Sequence, residues 1–259
     1  MRVVLLMTAG HLAAGHLVAS AARIRNLQGI AELDAKYYPN YVRPDVRFDR
    51  AIRRYLHPTD SILDAGAGRG EKFRYDYKTW VERVVGVDLE EGVLANPNLD
   101  EAYVADLAHL PFDDATFDLV FSRCVLEHVE DPVSVFEELR RVLRPNGHLI
   151  FRVPSRFHYV SIAARLTPLR FHRWFNAQRG FGAENFPTFY RINDRSTLRN
   201  LAATTGYDIR ELELFEMKPS YLVFHPLAYR VGIGYERLVN RFDRLQGLRS
   251  NIIGVFEAV

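Results

Sequence analysis

Residues 61–71 read SILDAGAGRGE, and no other stretch of the 259-residue chain narrows the fold as far. A short apolar run ends in Asp64, glycines follow at 66, 68 and 70, and residues able to start a helix come next. That order predicts a strand, a tight turn and a helix N-terminus. Glycine admits positive φ and lets the backbone approach a ligand where a Cβ would collide. A plain strand-to-helix turn with surplus glycine is the competing reading of this segment alone. The dinucleotide fingerprint G-x-G-x-x-G does not fit, because its third glycine, counted from Gly66, would fall on Glu71, and this chain has Gly70 instead. No lysine followed by serine or threonine closes the loop, so a nucleoside triphosphate P-loop is excluded as well.

From Ser61 onward the pattern alternates. Strands are expected at 61–64, 84–88, 102–105, 117–122 and 148–153, with helices at 71–82 and 132–143. Short apolar strands separated by helical crossovers imply an α/β fold, a parallel sheet with helices on both faces. Ligands in such sheets bind beyond the carboxyl ends of the strands. The helix at 132–143 is the best signalled: Asp131 is a good N-cap, Pro132 suits the first helical position, and Val133, Phe136, Leu139 and Leu143 form an apolar stripe. A helix is expected at 194–205, a strand at 209–215, a basic amphipathic region at 228–248 and a last apolar strand at 251–256.

Residues 32–56 carry Tyr37, Tyr38 and Tyr41 near Pro39 and Pro44, then an amphipathic stretch, which predicts a loop and a helix leading into the sheet. The expected organisation is an N-terminal helical extension or cap at 1–56 and a ligand-binding domain at 57–259. Insertions are expected at about 155–193 and 218–248, the first aromatic-rich and lying over the cleft.

The net charge of +2 hides a division, since residues 1–56, 57–150 and 151–259 carry +5, −10 and +7. Basic arms around an acidic centre suit an acidic substrate or an anionic membrane surface, or arms that pair with the centre itself. The first 22 residues are nearly all apolar with arginines on both sides. A signal peptide, a membrane-anchoring helix and a helix packed on the protein all remain open readings of them. Cys124 is the single cysteine, which rules out an internal disulfide and fits a reducing, cytoplasmic setting, with membrane association left open. No basic aromatic-interleaved motif and no zinc spacing argue for nucleic acid or a metal.

Three further elements carry chemistry. The strand VVGVD ends in Asp88, 24 residues after Asp64, where a carboxylate can accept both hydroxyl protons of a ribose. Asp106 could accept the exocyclic amine of an adenine while Leu107 packs on the ring; a surface turn aspartate is the alternative. Beyond the strand at 117–122 stand Glu127 and His128.

The runs ILDAGAGRGE, VVGVDLEE, VADLAHLPFDDATFDLVFSRCVLEHVEDP and ELRRVLRPNGHLIFRVPS resemble the successive motifs of class I S-adenosylmethionine-dependent methyltransferases, in particular their small-molecule (methyltransferase type 11-like) branch. The likeness covers roughly residues 60–154. It implies a Rossmann-like seven-stranded, mostly parallel sheet whose final strand inserts antiparallel. It also implies S-adenosyl-L-methionine as cofactor and a small-molecule acceptor, most simply methylated on oxygen. Carried over by position, Asp64, Gly66, Gly68 and Gly70 would line the methionine end, and Asp88 would hold the ribose. Leu89, Asp106 and Leu107 would meet the adenine, and Ser122 and Arg123 would line the methionine side.

The sulfonium carries an electrophilic methyl, so the protein must bring a nucleophile in line behind it and exclude water. A base is needed only for an acceptor that arrives protonated. His128 is the best placed candidate, ahead of Glu127; a structural hydrogen bond at a helix start is the other reading of His128. Tyr37, Tyr41, His158, Tyr159, Phe189 and Tyr190 are candidates for the acceptor wall, with Tyr37, Tyr38 and Tyr41 able to close over the cofactor, or for packing. No Asn/Asp-Pro-Pro-Tyr/Phe signature follows the fourth strand, which disfavours methylation of nucleic-acid amines. Three other readings stay open: a membrane-associated methyltransferase acting on a lipid or lipid-linked sugar, a cofactor-binding module without catalysis, and a nicotinamide oxidoreductase. The oligomeric state is not legible.

Overall fold

The computed structural model describes residues 21–70, 76–166 and 187–259. Seven strands make one sheet: β1 (Ser61–Ala65), β2 (Arg83–Asp88), β3 (Glu101–Val104), β4 (Phe117–Arg123), β5 (Leu143–Pro154), β6 (Tyr207–Phe215) and β7 (Asn251–Ala258). Their order is β3-β2-β1-β4-β5-β7-β6, with β7 antiparallel to both neighbours and the remaining pairs parallel. The helices are α1 (Ala21–Tyr37), α2 (Pro44–Arg53), α3 (Pro132–Val142), α4 (Tyr159–Leu166), α5 (Arg195–Thr204) and α6 (Pro226–Arg241).

The centre of the sheet is apolar on both faces, as parallel sheets require. Leu63, Val85, Val120, Phe151 and Phe256 pack with Phe136 and Leu139 of α3 and Leu198 of α5. On the other face Ile62, Val84, Phe121, Ile150 and Val255 pack with Phe48 and Ile52 of α2. The helix starts follow their caps: Asp131 accepts the N–H groups of Val133 and Ser134, and Asp194 accepts that of Thr197. A third cluster joins Ile30 and Leu33 of α1 to Tyr229 and Ile233 of α6.

One expected element is replaced. The helix expected at 71–82 is a turn over its described part, 76–82, while 71–75 lie outside the described residues. Tyr77 is the reason: its side chain is buried, its hydroxyl donates to Asp49 at 3.0 Å, and its carbonyl accepts Trp80 and Val81 N–H groups. Anchoring the ring under α2 closes a turn where a continuing helix would have carried the ring away. The region expected at 228–248 divides into α6 and a 3-10 stretch, Asp243–Leu248. Most of the aromatic insertion, 167–186, lies outside the described residues, so its expected place over the cleft does too.

Candidate functional site

The carboxyl ends of β1, β2, β3 and β4 meet on one edge. Gly66 and Ala67 N–H groups both bond the Val87 carbonyl, at 2.8 and 3.0 Å, which folds the turn after β1 back against β2. Gly66 holds φ +88°, and a Cβ there would stand 2.2 Å from Val125 Cγ2. Gly70, at φ +75°, would drive a Cβ to 2.3 Å from Asn96 Oδ1. These two glycines therefore serve the packing of the turn itself. Gly68 differs: among the described residues a Cβ built on it meets nothing closer than Asp88 Oδ2 at 4.0 Å, so none of them fills this part of the cradle. A nucleoside cofactor fits that opening.

Asp88 borders it. Its Oδ2 accepts the Gly68 N–H at 2.9 Å and its Oδ1 the Glu90 N–H at 3.0 Å, which aims the carboxylate across the turn. Asp88 pairs in register with Val104, and its carbonyl accepts the Ala105 N–H at 3.0 Å. Asp106 thus lies just past the adjoining strand end, exposed, with Oδ1 accepting the Ala108 N–H at 3.0 Å. The structure brings both residues to one edge, at adjoining strand ends. Leu89, beside Asp88, is 67% exposed. Leu107, expected at the adenine, is buried with Leu110 and Val125 in the core, because the turn around Asp106 points its side chain inward.

Asp64 ends β1 under this turn. Burial pushes its carboxyl up to about 7, with the Arg123 guanidinium opposing and the Asp88 charge adding. A cationic group of a ligand placed there would draw the proton off. Ser122 takes a structural part instead of lining the methionine side: it is fully buried, and its hydroxyl donates to the Ala65 carbonyl at 2.8 Å. Arg123 and Arg152 face each other in register on β4 and β5, and both reach Asp45 Oδ1, at 3.4 and 3.1 Å. One carboxylate at the start of α2 thereby offsets two adjacent cations and pins α2 to the carboxyl edge.

Cys124 follows β4 at φ +56°, a conformation that redirects the chain into Val125–His128. Glu127 is buried, its Oε2 without a hydrogen-bond partner, and burial raises its carboxyl to about 7 against its own N–H, Arg152 and Arg123. Its backbone carbonyl accepts the Phe189 and Tyr190 N–H groups at 2.9 and 3.3 Å, tying that segment to the β4 end. His128 Nδ1 lies 2.8 Å from the Pro187 carbonyl. A carbonyl only accepts, so Nδ1 carries the proton and Nε2 is the basic nitrogen. The structural bond expected as one reading of His128 is present.

The remaining wall candidates separate. Tyr37 packs in the α1–α6 cluster, 4.7 Å beneath the Arg237 guanidinium. Tyr41 stacks edge-on to Tyr38 at 6.0 Å and helps line a cavity of about 190 Å³ with Glu216, Lys218, Glu236 and Asn240. Tyr38 and Tyr41 line this cavity with Phe215, at the β6 end. The Tyr37 ring and the Tyr38 hydroxyl find partners on α6, Arg237 and Glu236, while the Tyr41 ring lies under Lys218. His158 is buried after β5, with Nε2 3.3 Å from Glu216 Oε2. Burial lowers its ring to about 4 and raises Glu216 to about 7, so near neutral pH it is an uncharged imidazole beside a half-ionised carboxyl. Tyr159 packs edge-on to Tyr235 at 5.2 Å. Phe189 is exposed and Tyr190 half-buried at the β4 end, the only two of these six beside Glu127.

Sequence reading missed the braces of the cradle. Asn96 Nδ2 donates to the Ala67 and Gly68 carbonyls at 3.2 and 3.1 Å, and Asn98 Nδ2 to the Gly70 carbonyl at 3.3 Å. Asn-Pro-Asn at 96–98 signals a turn but not what the turn holds. Arg152, a lone cation in an apolar strand, was the one visible hint of the Asp45 contact.

Comparison with known proteins agrees with this geometry. A family described as a methyltransferase domain matches residues 63–151. A probable S-adenosylmethionine-dependent methyltransferase of Mycolicibacterium smegmatis is 33% identical over 193 residues, covering 72% of this chain and 65% of that protein. A malonyl-[acyl-carrier protein] O-methyltransferase of Serratia marcescens is 34% identical over 102 residues, covering 37% of this chain and 38% of that protein. The chain thus spans less than two thirds of the length of either relative. An S-adenosylmethionine-dependent methyltransferase structure from Mesorhizobium loti shares the fold, with a TM-score of 0.51, 20% identity, and coverage of 80% of this chain and 96% of that one. Strand order, cradle and sequence kinship converge, and the chain belongs to the class I S-adenosylmethionine-dependent methyltransferases.

Proposed function

We propose that this chain moves a methyl group from S-adenosylmethionine to an oxygen of a small molecule. The observation that carries the reading is the opening at Gly68, with Asp88 fixed beside it and Asp106 on the next strand end. In it Asp88 accepts the ribose hydroxyls, Leu89 covers one face of the adenine and Asp106 accepts its exocyclic amine. Asp64 balances the positive charge at the methionine end. When bound, the cofactor supplies an electrophilic methyl on sulfur. What the chain adds is position: residues 1–56 act as a cap over a methyltransferase domain at 57–259, whose insertions near 155–193 and 218–248 enclose the acceptor. The Asp45 contact to Arg123 and Arg152 supports the cap, because it seats α2 at the carboxyl edge.

The likeness to an O-methyltransferase supports oxygen as the acceptor atom. An alcohol or phenol needs a base as the new bond forms, and His128 Nε2 takes that proton while Pro187 holds Nδ1–H. Phe189 and Tyr190, tied to the Glu127 carbonyl, stand where an acceptor would meet this ring.

Calorimetry with S-adenosylmethionine and its demethylated product tests the first half, and transfer of a labelled methyl to a metabolite panel tests the second. Absence of binding would sink the reading, and binding without transfer to any acceptor would leave a cofactor-binding module.

A further inference from the structure

The outward face of α6 is apolar along its length. Leu227, Val231 and Leu238 are 62%, 66% and 50% exposed, and their spacing sets them on one side of the 16-residue helix. Phe224 just before the helix and Phe242 just after it, 61% and 49% exposed, continue the row at both ends. Exposed apolar residues scattered singly are ordinary; a continuous row marks an interaction surface. The helix does not need this face to fold, since Tyr229 and Ile233 on its other side pack against Ile30 and Leu33 of α1.

Charge identifies the partner. Arg230, Arg237 and Arg241 are exposed along one flank of the row. Glu236, the one acid within α6, turns inward and is held by Tyr38 and Asn240. A second copy of the chain docking through this face about a two-fold axis would bring like patch to like patch and set arginines against arginines. An apolar stripe bordered by arginines, with no outward acid before the exposed Asp243 that follows the helix, matches a helix lying in the plane of an anionic bilayer. Among the described residues no helix is long and apolar enough to cross a membrane, so the contact is with the surface.

We propose that α6 docks the chain on an anionic lipid surface, with Phe224, Leu227, Val231 and Leu238 entering the acyl boundary and Arg230 and Arg241 meeting the phosphates. On its inner side Tyr235 touches the His158 ring at 6.0 Å and Asn240 bonds the Glu216 backbone N–H, residues that follow β5 and β6. The docking helix therefore sits at the carboxyl ends of β5 and β6.

The test is sedimentation of the 259-residue chain with vesicles of phosphatidylcholine alone and of phosphatidylcholine mixed with phosphatidylglycerol. The expected result is binding to the mixed vesicles, roughly tenfold or more weaker on the neutral ones and falling as salt rises. A chain carrying Leu227→Ser, Val231→Ser and Leu238→Ser together should lose about tenfold or more of that binding. Its melting point and circular dichroism should match the parent, because all three side chains face outward. Arg230→Ala with Arg241→Ala, a variant that leaves the apolar row intact, should lose roughly tenfold on the mixed vesicles as well. Failure of the parent chain to bind mixed vesicles overturns the proposal. Unchanged binding by both variants also overturns it and moves the contact to another segment, such as residues 1–20. A dimer that the triple variant breaks, with no vesicle binding, gives the face to a second copy. Vesicle binding is read without any acceptor, so its failure leaves the methyl-transfer reading standing.

Discussion

Asp88 Oδ2 accepts the Gly68 N–H across 2.9 Å, which locks the residue ending β2 to the turn that follows β1. The bond aims a carboxylate at a part of the glycine turn that no side chain among the described residues fills. Pre-organisation of this kind removes an ordering cost from ligand binding.

Asp88→Ala should weaken binding of the demethylated cofactor by roughly 1.5–3 kcal/mol, the range for hydrogen bonds to a charged group. Calorimetry checks it, and unchanged affinity would remove Asp88 from the site. The variant's stability should fall less, since the two N–H groups it frees can reach water.

Gly66→Ala should destabilise the fold by roughly 2–4 kcal/mol, combining positive φ with a collision on Val125. Adding Val125→Ala removes the Cγ2 and Cγ1 collisions at 2.2 and 2.7 Å and keeps the Cβ contact at 2.9 Å, so it should recover part of the loss and leave at least about 1–2 kcal/mol from the backbone. Urea unfolding of the four chains in the cycle reads this directly; equal losses with and without Val125 would refute the packing account.

Asp64 should link binding to pH. Its carboxyl is raised to about 7, so the folded chain holds a proton that the unfolded chain, with an ordinary carboxyl, releases near pH 4. Stability from this group is present below pH 4 and declines as pH rises toward 7. Asp64→Asn should therefore raise the melting point at pH 8 more than at pH 5, while lowering affinity for the cationic cofactor. Binding by the parent chain near pH 7 should release a proton, seen as a buffer-dependent heat in calorimetry.

His128→Asn keeps an N–H donor for the Pro187 carbonyl but has no basic nitrogen. Turnover with an alcohol acceptor should fall about 100-fold or more, with melting point and cofactor affinity little changed. Near-normal turnover would leave His128 as a structural residue alone.

The strands and the cradle were legible because their signals are local. A short apolar run or alternate glycines state their backbone geometry without reference to distant residues. Asp88 and Asp106 were legible because strand ends on one sheet share an edge. The turn at Tyr77, the inward Leu107 and the bond from Ser122 to Ala65 were not, since each depends on a partner far along the chain. The α6 partners of Tyr37 and Tyr38, Arg237 and Glu236, were not legible either, since they lie about 200 residues along the chain.

The amino-acid order by itself determined an alternating α/β sheet, a glycine turn after its first strand and acidic residues at the next two strand ends. Only the tertiary structure decided which of the glycines the described residues leave uncovered, which side chains are sealed inside, and that α6 keeps an apolar row outward. Local geometry is set by φ and side-chain period over a few residues, whereas exposure is set by what the rest of the chain lays on top.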